Sequence, residues 1–126
     1  MKLVANCLLV SLLLMSTWAC GKDKDYLITI TTRHGEIKAI LFDDTPEHKR
    51  NFIALAEAGR FDSTPFHRVI KDFIVQGGDV FGKEGLPAQE WPTLPAEIQT
   101  NHVHIKGMIA AARQGDNINP QKRSNG

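Results

Sequence analysis

A chain of 126 residues, 42% hydrophobic and 23% charged, has the balance of one ordinary globular domain. Its formal net charge is +1, and its lysines and arginines form no block. A phosphate backbone needs a concentrated basic face, so these numbers exclude nucleic acid as the main partner.

The chain begins with Met1-Lys2 and the apolar run "LVANCLLVSLLLM" at 3–15. That run is too short to cross a bilayer comfortably and suits the core of a secretory signal. "STWAC" then ends at Cys20 and "GKDKD" follows. A small residue before a cysteine at the end of such a core resembles the lipobox of bacterial lipoproteins, although Thr17 stands where that motif has leucine. The resemblance implies that Cys20 carries lipid. The alternative is an ordinary signal peptide cut near Ala19. Cys7 lies inside the apolar core, so Cys20 is the one cysteine expected in the mature chain, and no internal disulfide can form. The expected divisions are a signal peptide over 1–19, a lipidated N-terminus and tether over 20–26, and one domain over 27–126. The expected location is the cell envelope, with a membrane contact through the lipid.

"LITITTRHGEIKAILF" (27–42) alternates in two runs around His34-Gly35 and predicts an antiparallel hairpin. "DDTPEHKRNFIALAEAGRF" (43–61) changes period. Thr45 can cap a helix there, Pro46 fits its first position, Glu47 suits its first turn and Gly59 marks its stop. Phe52, Leu55 and Ala56 share a helix face with His48. "STPFHRVIKDFIVQGGD" (63–79) returns to strands, and 80–97 reads as a long loop punctuated by glycine and proline. "IKGMIAAA" (105–112) reads as a short strand, and the polar residues 113–126 read as a loop. Mostly antiparallel strands with one early helix predict a barrel or sandwich.

"NF-ALAEAGRFD-TPFHRVIKDFIVQGGD", followed by "GMIAAAR", resembles the cyclophilin-type peptidyl-prolyl cis-trans isomerases from about Leu27 to Gly126. "FHRVI" with "FIVQGGD" at this spacing is far more specific than a lone glycine motif. The resemblance implies a mainly β fold, an antiparallel barrel with helices over its ends and an active site on the barrel's outer face. It implies a monomer that acts on proline-containing polypeptides without cofactor or metal. Arg68 matches the family's catalytic arginine and His67 the histidine beside it, read as structural. Phe73, Ile74 and Gln76 match substrate-binding residues. Ala112 and Arg113 match the segment whose backbone runs beside the bound peptide.

The residue types suit that chemistry. An X–Pro bond rotates slowly because resonance stiffens its C–N bond, with a barrier of roughly 20 kcal/mol. No bond breaks. A donor aimed at the prolyl nitrogen favours the twisted state, where that nitrogen regains its lone pair. Arginine is always charged and offers several donors in a rigid fork. An apolar wall, partly Phe73 and Ile74, must hold the proline ring meanwhile. Strand alternation puts Phe66, Arg68 and Ile70 on one face and His67 and Val69 on the other, and Gly77-Gly78 permit close backbone approach.

Other polar residues read more plainly. His102 and His104 form a two-residue spacing without a third ligand and read as solvated loop. Trp91 reads as a loop anchor. Glu47, Glu97 and Asp116 show no pairing in sequence. In the family, an Asn-Gly pair leads into further strands, a second helix and the rest of the proline pocket, whereas "SNG" (124–126) ends this sequence. The expectation is therefore an incomplete barrel with one helix present, the C-terminal strands and second helix missing. A non-catalytic X–Pro-binding or chaperone module, or an inactive fragment, are the alternatives to an isomerase.

Overall fold

The computed structural model describes residues 25–87 and 90–125. The expected signal peptide over 1–19, Cys20 and all but the end of the expected tether lie outside the described residues. Strands β1 (Tyr26–Thr32) and β2 (Gly35–Leu41) form the first hairpin. They pair antiparallel with Tyr26 opposite Leu41 and Thr32 opposite Gly35. Gly35 thus opens β2, and the turn itself is Arg33-His34, one residue earlier than the sequence signal suggested. The Thr32 hydroxyl fixes it by accepting from the His34 amide at 3.1 Å and donating to the Gly35 carbonyl at 2.9 Å.

Helix α1 runs over Pro46–Glu57, with proline at its start and an acidic residue in its first turn, as the sequence predicts. Gly59 follows with φ of 66°, the left-handed conformation that ends helices and suits glycine. Thr45 does not cap. Its hydroxyl donates back to the Phe42 carbonyl at 3.2 Å, and a residue from far along the chain takes the capping role. Of the face expected to be apolar, Leu55 is buried and Phe52 packs its ring 4.8 Å from Phe61, while Ala56 stays exposed.

Residues 63–79 give only two short strands, β3 (Arg68–Ile70) and β4 (Ile74–Gln76). They pair antiparallel as a separate two-stranded sheet. Residues 80–97 are not wholly loop. Helix α2 (Val80–Lys83) opens them, and the Asp79 carboxylate accepts from the Gly82 amide at 2.8 Å as its cap. This turn buries Val80 and Phe81 beside Leu55, with Phe61 and Trp91 packed around them. Trp91 is the anchor the sequence suggested: its indole N–H donates to the Leu86 carbonyl at 2.9 Å.

Residues 105–112 are not a strand. A strand needs a partner ladder. Here the Asn125 amide donates to the Ala112 carbonyl at 3.1 Å, but no ladder forms among the described residues. Leu94 and Ser124, on either side of this segment, form an isolated antiparallel bridge. The result is a partial fold of strands and short helices, with no closed barrel among the described residues.

Candidate active site

The β3–β4 register builds the centre of the site. Arg68 stands directly opposite Gln76, and Ile70 opposite Ile74. Residues opposite each other on an antiparallel pair share a face, so all four side chains project together. The Arg68 guanidinium donates from Nη1 to Gln76 Oε1 at 3.2 Å. Among the described residues Gln76 is its only hydrogen-bond partner, and no carboxylate neutralises it. Arg68 is exposed, so most of its fork of donors is open to a ligand.

Phe73 lies in the three-residue loop between the strands. Asp72 holds that loop at φ of 60°, a conformation that aspartate tolerates. Phe73 is 73% exposed and stands as an apolar surface on this loop. Ile74 is half-buried. His67 is exposed and makes no hydrogen bond among the described residues. Gly77 shows why a side chain is excluded after β4: an added Cβ would stand 2.7 Å from the Phe66 ring.

Gln76 also opens onto a second wall. A cleft of about 480 Å³ is lined by Gln76, Trp91, Ala112, Arg113, Arg123 and Asn125, among others. The residues that the sequence placed on the peptide side, Ala112 and Arg113, thus share a cleft with the partner of Arg68. Arg113 donates to Asp116 Oδ1 at 2.5 Å, and this bond holds the Asp116 carboxyl below its ordinary range. Arg123 braces the far side by donating to Thr93 Oγ1 at 2.7 Å.

Two residues escaped the sequence reading. Glu97 caps α1: its carboxylate accepts from the Glu47 amide at 2.8 Å and the His48 amide at 2.9 Å. The His48 ring then lies between Glu97 Oε2 and Ser124 Oγ, 2.6 Å from each. A cap that arrives from fifty residues away leaves no local signal. His102 is no solvated loop residue either. It stacks on Phe42 at 4.1 Å and meets the Asp44 carboxylate at 2.8 Å, which holds Asp44 below its ordinary range.

Burial raises the proton affinity of Glu97, but the two backbone amides and the His48 ring outweigh it and hold the carboxyl below its ordinary 4.5. The folded state therefore binds this proton less tightly than the unfolded chain. The resulting stability is present above about pH 4.5 and is lost as pH falls through the depressed folded value. Thermal melts taken between roughly pH 7 and pH 3 should decline in that lower range, and Glu97→Gln should flatten the decline. An unchanged acid slope in the variant would remove Glu97 from this role.

Residues 27–126 match the family model "Cyclophilin type peptidyl-prolyl cis-trans isomerase/CLD". The chain is 38% identical over 95 residues to "Peptidyl-prolyl cis-trans isomerase CYP18-1" of Arabidopsis thaliana, covering 73% of this chain and 59% of that protein. It is 38% identical over 101 residues to "Peptidyl-prolyl cis-trans isomerase-like 2" of Rhizopus delemar, covering 78% of this chain and 19% of that one. Over 54 residues it is 48% identical to "Peptidyl-prolyl cis-trans isomerase-like 3" of Emericella nidulans, with 42% and 26% covered. The chain thus spans less than two thirds of the length of these curated relatives. No solved structure gives a significant match. The motif, the Arg68–Gln76 register and the match over 27–126 together show that the chain belongs to the cyclophilin-type peptidyl-prolyl cis-trans isomerases.

Proposed function

We propose that this chain accelerates cis-trans rotation of X–Pro bonds in polypeptides of the cell envelope. The observation that carries the reading is Arg68, exposed, unneutralised and held by Gln76 on the same hairpin whose loop carries the exposed, apolar Phe73. A proline ring laid on Phe73 and Ile74 would bring its nitrogen to the guanidinium. As the C–N bond twists, that nitrogen loses its amide resonance and becomes a hydrogen-bond acceptor. Arg68 then gains a bond that the planar ground state cannot make, and such differential binding lowers the barrier. Gln76 fixes the aim of the fork, so little reorganisation remains at the moment of twisting. The Ala112–Arg113 backbone offers the peptide a second line of contact across the cleft. Rotation of the prolyl bond in a proline tetrapeptide, followed with and without the full chain, tests the reading. Saturable acceleration supports it. Saturable binding without acceleration would support an X–Pro-binding module instead.

The envelope part of the proposal rests on the sequence around Cys20. When the full chain is made in a bacterium that processes lipoproteins, it should fractionate with membranes. Cys20→Ser should release it, since stable attachment takes two acyl signals. Equal membrane partition of the two proteins would overturn the lipid anchor.

A further inference from the structure

The isomerase reading leaves unused a connected polar cluster, Glu97–His48–Ser124. Glu97 is only 12% exposed, and the N-terminus of α1 and the His48 ring share its carboxylate. An ionised carboxylate only accepts, so His48 must donate to it from Nδ1. Nε2 is thereby left for the Ser124 hydroxyl. With neutral histidine the serine donates, and with imidazolium it accepts, so the contact survives either state. The connectivity is that of an acyl-transfer triad. However, Ser124 is only 4% exposed, so its hydroxyl is out of reach of a substrate. The cluster is a strut.

The strut leads to the cleft. The Ser124 backbone carbonyl accepts from the Leu94 amide at 2.8 Å, and its amide donates to the Leu94 carbonyl at 3.2 Å. The next residue, Asn125, donates its amide to the Ala112 carbonyl at 3.1 Å. Helix α1 is therefore tied through two side chains and one backbone step to the cleft wall that faces Gln76.

We propose that His48 and Glu97 are positioning residues that, through Ser124 and Asn125, fix the Ala112–Arg113 wall of the cleft opposite Arg68 and Gln76. Its consequence for turnover rests on the isomerase reading above. A wall that contacts the peptide in both planar and twisted states contributes uniform binding. Its displacement raises KM and leaves kcat nearly unchanged, unlike loss of Arg68.

Three variants of the full chain decide it. His48→Ala removes both links. His48→Asn keeps a donor near the Nδ1 position, for Glu97, but cannot reach Ser124. His48→Gln extends a polar group toward Ser124. A purely structural role, holding Glu97 to the helix, would be rescued by asparagine. A positioning role through Ser124 requires glutamine. Two readouts apply: KM for a proline tetrapeptide, and hydrogen exchange of the Asn125 amide. His48→Ala and His48→Asn should each raise KM about tenfold at near-constant kcat. They should also speed Asn125 exchange about tenfold or more, and His48→Gln should recover both. Unchanged Asn125 exchange in His48→Ala, or full recovery in His48→Asn, would overturn the proposal. If His48→Ala fails to fold, the asparagine and glutamine variants still decide. If the wild-type chain shows no turnover, the isomerase reading fails separately, while Asn125 exchange still reports on the strut.

Discussion

Replacing Arg68 with alanine should lower kcat/KM for a proline tetrapeptide by about 100- to 1000-fold, the usual cost of losing one donor aimed at developing charge. The loss should fall on kcat, because the bond to the prolyl nitrogen strengthens only as the peptide twists. Stability should change by no more than about 0.5 kcal/mol, since Arg68 is exposed and its one partner, Gln76, can turn to water. Lysine should not rescue. It offers a point charge on a flexible stem, and the bond to Gln76 Oε1 depends on a fork that can hold one group while addressing another. Near-normal turnover in Arg68→Ala would remove Arg68 from the mechanism, and near-normal turnover in Arg68→Lys would show that the fork is not required. Gln76→Leu gives the complementary result: the donor remains but its aim loosens, and the rate should fall less than in Arg68→Ala.

The hairpin of the candidate site was legible because it is local. Phe66 to Gly78 is one hairpin with its connection, so alternation and spacing carry the register, and the register puts Arg68 opposite Gln76. The helix was legible for the same reason, from Pro46 through Gly59. What the sequence misplaced is what depends on distant partners. Thr45 has the chemistry of a cap, yet Glu97 arrives from elsewhere in the chain and binds the helix amides with a full negative charge, which the helix N-terminus favours over a hydroxyl. Residues 105–112 have strand composition, but composition cannot supply a ladder, and only Asn125 pairs there among the described residues. Val80-Phe81 read as loop because α2 is a single turn, too short to show a period. His102 read as solvated because nothing near it in sequence announces Asp44 or Phe42.

The smallness of the buried core leads to the second large effect. Only Leu55, Val80 and Phe81 are buried apolar residues among those described, with Phe61 and Trp91 packed against them. Around them lies much exposed apolar surface, including Leu27, Ile40, Val69, Val75 and Ile105. Phe81 links several pieces of this core. Its ring centroid lies 6.1 Å from that of Trp91, and the Arg60 guanidinium, paired with Glu84, sits 5.1 Å over its face. Truncating a buried phenylalanine to alanine costs about 3–5 kcal/mol in transfer and cavity energy. A domain usually holds only about 5–15 kcal/mol in total, and one with so few buried side chains stands at the low end. Phe81→Ala should therefore abolish cooperative thermal unfolding of the full chain, not merely lower its midpoint. Trp91 is the tryptophan of this core, so its emission should shift to the red as it meets water. Phe81→Leu, which keeps most of the volume, should cost less than about 1.5 kcal/mol and retain the transition. A sharp transition in Phe81→Ala, with Trp91 still shielded, would show that the fold is held by contacts outside this cluster.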